Sequence, residues 1–248
     1  MNGDEVISAS ASNLIGKTVR PTTVPMNQAW PTRLPIMEAC IQRLLSSPVN
    51  ALEIGTWFGL GSTQVWLKTL PPGSTLTLID AWRPYSSEDD LKVSGGFNYS
   101  EMDELSSKAL LSTLKEITDR EKTGSSIEVN VVRARAGSFL KQLRPDQFDF
   151  IYIDGSHYYA DIKADIQCAK SLAKDSFSII CGDDCEALPT ENLLAFAKQN
   201  VTRDFIQHPS GTSFHPGVML AISEEFKDVN MKNGFWWIYK RNARFGLF

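Results

Sequence analysis

The sequence has no apolar run that approaches the length of a membrane span, and its first twenty residues, MNGDEVISASASNLIGKTVR, lack the basic start and apolar centre of a secretory signal. The expected location is cytoplasmic, with no membrane partner. Cysteine is scarce. Cys40 and Cys168 lie in helical patterns, while Cys181 and Cys185 flank Gly-Asp-Asp at a spacing wider than a CxxC pair. No second pair completes a zinc site, so all four are expected to be structural thiols. A surplus of positive charge is missing too: 25 Lys+Arg stand against 29 Asp+Glu, a net charge of -4, which argues against a nucleic-acid partner. Internal repeats and low-complexity tracts are absent.

What is present is an alternation of short β-branched runs and amphipathic stretches over 248 residues, 42% hydrophobic and 22% charged, the pattern of one α/β domain. Its centre is the stretch from Phe148 to Glu186. Phe148 to Ile153 reads as a buried parallel strand that stops at Asp154-Gly155. Tyr159, Ile162, Ile166, Ala169 and Ala173 then recur at spacings of three and four, with Asp161, Lys163, Asp165, Lys170 and Lys174 between them, which predicts a helix with one face on a sheet. Phe177 to Cys181 is a second strand ending in Gly182-Asp183-Asp184. Strand, crossover helix and strand make a βαβ unit, so both carboxyl ends emerge on one edge of the sheet. Asp154, Asp183 and Asp184 are then expected to face one crevice, where like charges repel unless neutralised. Mg²⁺ or Mn²⁺ is the simplest neutraliser for carboxylate oxygen. The alternative assignment makes Asp154 a turn residue and Asp183 or Asp184 a cap or solvated charge.

Upstream, residues 1 to about 25 read as an irregular arm, Leu34 to Leu45 as a helix and Val49 to Ile54 as the first strand. That strand runs into Glu53-Ile54-Gly55-Thr56-Trp57-Phe58-Gly59-Leu60-Gly61-Ser62 and a helix through Val65, Trp66 and Leu70. The turn is neither the GxGxxG of nicotinamide folds nor a P-loop, since it carries no lysine. It reads E-x-G-x-x-x-G-x-[GS], with glycines that permit close backbone approach to a ligand or serve a purely structural turn. The second strand, Leu76 to Ile79, ends in Asp80, about 20 positions beyond the turn and suited to ribose hydroxyls. Residues 83–103 read as a mobile loop over the crevice or a surface insertion. A helix from Leu105 to Arg120, with Leu110, Leu111, Leu114 and Ile117 on its apolar face, precedes a third strand at Ile127 to Val132 and a short helix at Phe139 to Leu143. A helix at Glu191 to Gln199 and strands at Val218 to Ile222 and Phe235 to Tyr239 close the chain, predicting an antiparallel edge. His208 and His215, in HPSGTSFHPG, are expected on a surface loop bordering the crevice.

Glu53-x-Gly55-x-x-x-Gly59, Asp80, Ile153-Asp154-Gly155-Ser156-His157 and Gly182-Asp183-Asp184, in this order, resemble the class I S-adenosylmethionine-dependent methyltransferases. Within these, the sequence is similar to the metal-dependent O-methyltransferase branch of macrolide, aminocoumarin and other secondary metabolism, together with the cephalosporin hydroxylase-like proteins. The resemblance covers roughly residues 48 to 241. It implies a Rossmann-like α/β fold: a seven-stranded, mostly parallel sheet with an antiparallel last strand and helices on both faces. Residues 1–47 would form an N-terminal arm and helix, and 48–248 the S-adenosylmethionine-binding domain with the 83–103 loop inserted. Gly55, Thr56, Gly59 and Ser62 would wrap the methionine part of the cofactor, Glu53 would stand near its ammonium, Asp80 would hold the ribose, and Ala136, Gly137 and Ser138 would lie against adenine. Asp154, Asp183 and Asp184 would hold Mg²⁺ or Mn²⁺, with Asp154 also touching the cofactor. His157 would be the general base, because the acidic residue that some members carry two positions after the metal Asp is Ser156 here.

The expected activity is methyl transfer to a hydroxyl of a small molecule, a sugar or secondary metabolite. Histidine titrates near neutrality and suits the proton acceptor, while a bound divalent ion lowers a hydroxyl's pKa. Alternatives are a catechol or phenol O-methyltransferase, a metal-dependent hydrolase with a nucleotide on the glycine turn, and an inactive cofactor-binding scaffold. Trp30, Trp57, Trp82, Tyr85 and Phe97 are candidates to stack on the acceptor. Whether the protein forms a homo-oligomer is left open.

Overall fold

Five short apolar runs, each closed by a turn or helix start, form the parallel part of a single sheet. In the computed structural model, which describes residues 31–44, 46–92 and 98–247, these are β1 (Asn50–Ile54), β2 (Thr75–Asp80), β3 (Glu128–Arg133), β4 (Phe150–Ile153) and β5 (Phe177–Cys185). The arm over residues 1 to about 25, Trp30, Gly95-Gly96 and Phe97 lie outside the described residues. Their order is β3-β2-β1-β4-β5, all parallel. Ala51, Leu52, Ile54 and all of Phe150 to Ile153 are buried, because the central strands are covered on both faces. β9 (Gly234–Arg241) pairs antiparallel with β5 and carries β10 (Arg244–Gly246) and β8 (Asn230–Lys232), which makes eight strands rather than seven. The small hairpin of β6 (Ile206–Gln207) and β7 (Ser213–Phe214) stands apart.

Two apolar clusters fill the two faces. On one, α6 (Tyr159–Leu172) and α8 (Pro216–Glu225) set Ile162, Ile166, Ala169, Val218 and Ile222 against Ile54, Ile151 and Ile180. On the other, α1 (Leu34–Gln42), α2 (Ser62–Thr69) and α4 (Tyr99–Lys122) bring Met37, Ile41, Trp66 and Ile117 onto Phe150, Tyr152 and Phe235. The remaining helices are short: α3 (Glu88–Lys92), α5 (Ala136–Phe139), continued by a 3-10 turn, and α7 (Glu191–Lys198), capped by the Thr190 hydroxyl on the Leu193 amide. None of the described helices is long and apolar enough to cross a membrane.

Four expectations change. Val218 to Ile222 is not a strand but the middle of α8, which has Pro216 in its first turn and is buried from Pro216 to Ile222; a short run that is apolar throughout carries no period to separate strand from helix. The 83–103 segment is not an open loop: α3 lies within it, and α4 starts at Tyr99 under an Asn98 cap. On α4 the buried stripe is Tyr99, Met102, Ser106, Ala109, Thr113 and Ile117, so Leu111 and Leu114 face outward. β5 runs on through Gly182, Asp183 and Asp184, with a register break between Gly182 and Cys185 and Asp184 at φ 63°.

Trp66 packs edge-on against Phe150 and Tyr152 with ring centroids 4.7 and 5.4 Å away. Trp66→Ala is expected to cost about 3–5 kcal/mol through the cavity it leaves. Leu111→Ala, at a position 67% exposed, is expected to change stability by less than about 0.5 kcal/mol. Urea unfolding of the two variants checks both values.

Candidate active site

The glycine turn is built by contact between two strand exits. Gly55 has φ +84°, and a Cβ there would stand 1.8 Å from the Asp154 carbonyl oxygen, so only glycine lets the ends of β1 and β4 meet. The turn is then held by Asp80: its Oδ2 accepts from the Thr56 and Trp57 amides at 3.0 and 2.9 Å, and its Oδ1 from the Trp82 amide at 2.7 Å. Glu53 lies behind the turn, wholly buried, and accepts from the Ser62 and Thr63 hydroxyls. Burial pushes its carboxyl up to about 8, against the pull of those hydrogen bonds.

In front of the turn a cleft of about 220 Å³ runs along the carboxyl ends of β1 to β4. Gly55, Thr56, Ser62, Asp80, Ala136, Gly137, Asp154, His157 and Asp183 line it, as do Trp57, Trp82 and Tyr85. Glu53, Gly59 and Ser138 do not: Glu53 ties β1 to α2, Gly59 packs on Thr113 of α4, and the Ser138 hydroxyl donates to the Arg135 carbonyl at 2.8 Å. The Thr56 hydroxyl is buried without a hydrogen-bond partner among the described residues, in a turn that lines the cleft.

At the β4–β5 end the three expected carboxylates share one edge with groups the sequence did not single out. Arg33, at the start of α1, pairs with Asp183 and approaches Asp184 at 3.5 Å. His157 Nε2 stands 3.1 Å from Asp184 and 3.8 Å from Asp154, and its Nδ1 is 3.0 Å from Asp204. His215 belongs to this cluster rather than to a surface loop, with Nδ1 2.7 Å from Glu186 and its ring edge-on to His157. His208 is half-buried in the β6–β7 hairpin, edge-on to Phe196 and with Nδ1 2.8 Å from the Ser210 hydroxyl, away from the cluster. The helix that follows His215 presses on the site: a Cβ at Gly217 would lie 2.1 Å from the His157 carbonyl. Among the described residues His157, Asp184 and His215 offer ligand atoms within 4.8 Å of one another, a mixed nitrogen and oxygen donor set; Asp154, Asp183 and Asp184 share the edge but do not bring their oxygens that close together.

Charge is divided unevenly here. Burial alone would lower His157, but Asp204, Asp184 and Asp154 outweigh it and hold the imidazole well above 6.5. Burial would raise Asp184, yet His215, His157 and Arg33 keep it well below the usual carboxylate range. Asp183 is pushed up by burial and by its two carboxylate neighbours, against the pull of Arg33.

A family model described as a methyltransferase domain matches residues 52–185, more than half of the chain. The chain belongs to this methyltransferase-domain family. Among solved structures it is similar to the O-methyltransferase TomG of Streptomyces achromogenes, involved in tomaymycin synthesis and solved with SAM, at 14% identity and a TM-score of 0.50 over 88% of this chain and 83% of that one. An O-methyltransferase of Bacillus cereus, solved with SAH, is 15% identical at a TM-score of 0.47 over 95% and 88% of the two chains. Nothing among the curated proteins matches. At these identities the likeness is one of fold: a mostly parallel sheet with antiparallel last strands and helices on both faces.

Because His157 is raised above 6.5, its pairing with Asp204 stabilises the fold fully below about pH 6.5 and less as pH rises through the higher folded value. Asp204→Asn is therefore expected to cost about 1–3 kcal/mol at pH 6 and clearly less at pH 9. Denaturant midpoints at the two pH values measure the difference.

Proposed function

We propose that the protein transfers a methyl group from S-adenosylmethionine to a hydroxyl of a small molecule such as a sugar or secondary metabolite. The observation that carries this reading is the continuity of the cleft: one cavity joins the Gly55 turn and Asp80 to Asp154, Asp183 and His157. Family membership and the O-methyltransferase fold of TomG support it.

When bound, the cofactor supplies an already reactive methyl sulfonium, and the chain's task is alignment and proton removal. Gly55, Thr56 and Ser62 would hold the methionine part, and Asp80 has lone pairs left for ribose hydroxyls beyond its three amide bonds. His157 takes the acceptor's proton, with Asp204 orienting its Nδ1. The carboxylates around His157 raise it above 6.5, so positive charge in the cleft or a rise in pH favours its basic form.

Five carboxylates, Asp154, Asp183, Asp184, Glu186 and Asp204, face three cationic side chains, Arg33, His157 and His215. This surplus supports a divalent cation, Mg²⁺ or Mn²⁺, at this edge, with Asp154, Asp183 and Asp184 as its proposed carboxylate ligands; the ligand atoms already within 4.8 Å of one another are those of His157, Asp184 and His215, so Asp154 and Asp183 would have to turn toward the ion. Such an ion would acidify and orient the acceptor hydroxyl.

Calorimetric titration with S-adenosylhomocysteine tests the cofactor: micromolar binding is expected, and none would overturn the reading. His157→Ala is expected to lower kcat about 10²- to 10⁴-fold while leaving cofactor affinity within about threefold. Equal turnover by this variant would remove the base assignment. Chelator should suppress transfer, Mg²⁺ should restore it, and Asp154→Ala or Asp183→Ala should abolish that restoration; full activity in chelator would eliminate the metal.

A further inference from the structure

Asp165 breaks the pattern of the helix that carries it. The spacing along α6 puts it among the outward-facing charges, but it is 4% exposed, one residue before Ile166 in the core. Its carboxylate has no hydrogen-bond or ion-pair partner among the described residues, and it lines the cleft together with Ala134 to Gly137 at the exit of β3 and Gly155-Ser156 at the exit of β4. Two glycines flank it. A Cβ built at Gly137 would stand 4.0 Å from its Oδ1, and one at Gly155 would stand 3.9 Å from its Oδ2. A Cβ at either position would make only ordinary van der Waals contact with the carboxylate, so the glycines border Asp165 without being required by it, and the part of the cleft between these two backbone segments is a slot with the acid in its lining. Burying an unpaired carboxylate is costly, and the cost is recovered only if something entering the slot donates hydrogen bonds to it.

The position in the cleft limits what that is. Asp80, at the end of β2, stands beside the β3 exit, so a ligand whose ribose reaches Asp80 can extend its base toward Ala136, Gly137 and the slot. A flat ring fits between bare backbone segments, and an exocyclic amine in its plane supplies the donor that the carboxylate lacks. We propose that Asp165 reads the adenine of the cofactor by accepting a hydrogen bond from its exocyclic amine, an inference that builds on the S-adenosylmethionine reading above. Burial, with a smaller push from Asp161, raises the Asp165 carboxyl to about 7, and a carboxyl in its neutral form can also donate to the neighbouring ring nitrogen. Both protonation states therefore accept the amine.

The test compares the dissociation constants of S-adenosylhomocysteine and its 6-desamino analogue, in which hydrogen replaces the amine. The full-length wild type is expected to prefer the amine-bearing ligand at least tenfold. Asp165→Ala should bring the two ligands within about twofold, and Asp165→Asn, whose amide oxygen still accepts but carries no charge, should leave about a threefold preference. The ratio of the two constants cancels any general loss of affinity, and Asp165→Asn keeps the shape if the alanine variant folds poorly. A wild-type ratio near one, or either variant retaining the wild-type ratio, overturns the role of Asp165 alone. No binding of S-adenosylhomocysteine to the wild type overturns the cofactor reading and this inference together.

Discussion

Three backbone amides, from Thr56, Trp57 and Trp82, converge on the carboxylate of Asp80, and the shape of the cleft depends on that convergence. Trp57 in the turn after β1 has φ 52° and Trp82 after β2 has φ 40°, conformations that non-glycine residues populate sparsely. A charged acceptor that collects three amide bonds outweighs that cost. It also fixes where the exits of β1 and β2 lie relative to each other, and β4 is fixed in turn because Gly55 meets the Asp154 carbonyl. The residue that the sequence marks as a candidate ribose ligand is thus first a structural clamp, and the proposed ligand role would use acceptor capacity that the clamp leaves over.

The acidic edge follows a second rule, that buried charges must be paired. A metal ion is one solution, and the chain already holds another in part. Arg33 reaches from α1 to Asp183 and Asp184, and His157 and His215 gain protons because the carboxylates around them make the charged form cheaper. These groups hold Asp184 low, while burial and the neighbouring carboxylates push Asp183 up. A cation entering here meets a site that is partly neutralised, so it competes with protons on two imidazoles as well as with water.

The parallel sheet, the glycine turn, Asp80 and the placing of Asp154, Asp183 and Asp184 on one edge of the sheet could be read from the chain because each follows from local pattern plus the parallel βαβ rule. What could not be read came from sequence-distant partners. Arg33 lies 150 positions from Asp183, and Asp204 lies 47 from His157; no spacing links them. Helix α8 was hidden for a different reason, being apolar on every side. Asp165 was legible as a residue type and misplaced by orientation: period arguments say which residues share a face, and they do not say that a polar residue lines a cleft at the helix edge.

The insertion at 83–103 shows how the least patterned part of the chain still acts on the chemistry. Asp90 of α3 is buried and accepts from the Tyr158 hydroxyl at 2.7 Å, from Arg203 at 2.9 Å and from the Asp204 amide at 3.2 Å. Tyr99, at the start of α4, donates to Asp204 at 3.1 Å, and Asp204 holds His157. The segment that borders the acceptor side of the cleft is therefore bonded, through two carboxylates, to the imidazole that receives the acceptor's proton in the proposed reaction. A change of acceptor that moved this insertion would move the basicity of His157 with it, because Asp204 is the largest of the carboxylate influences that raise it. In the proposed reaction substrate fit and proton transfer would then be coupled, because the same buried hydrogen bonds join the 83–103 segment to His157.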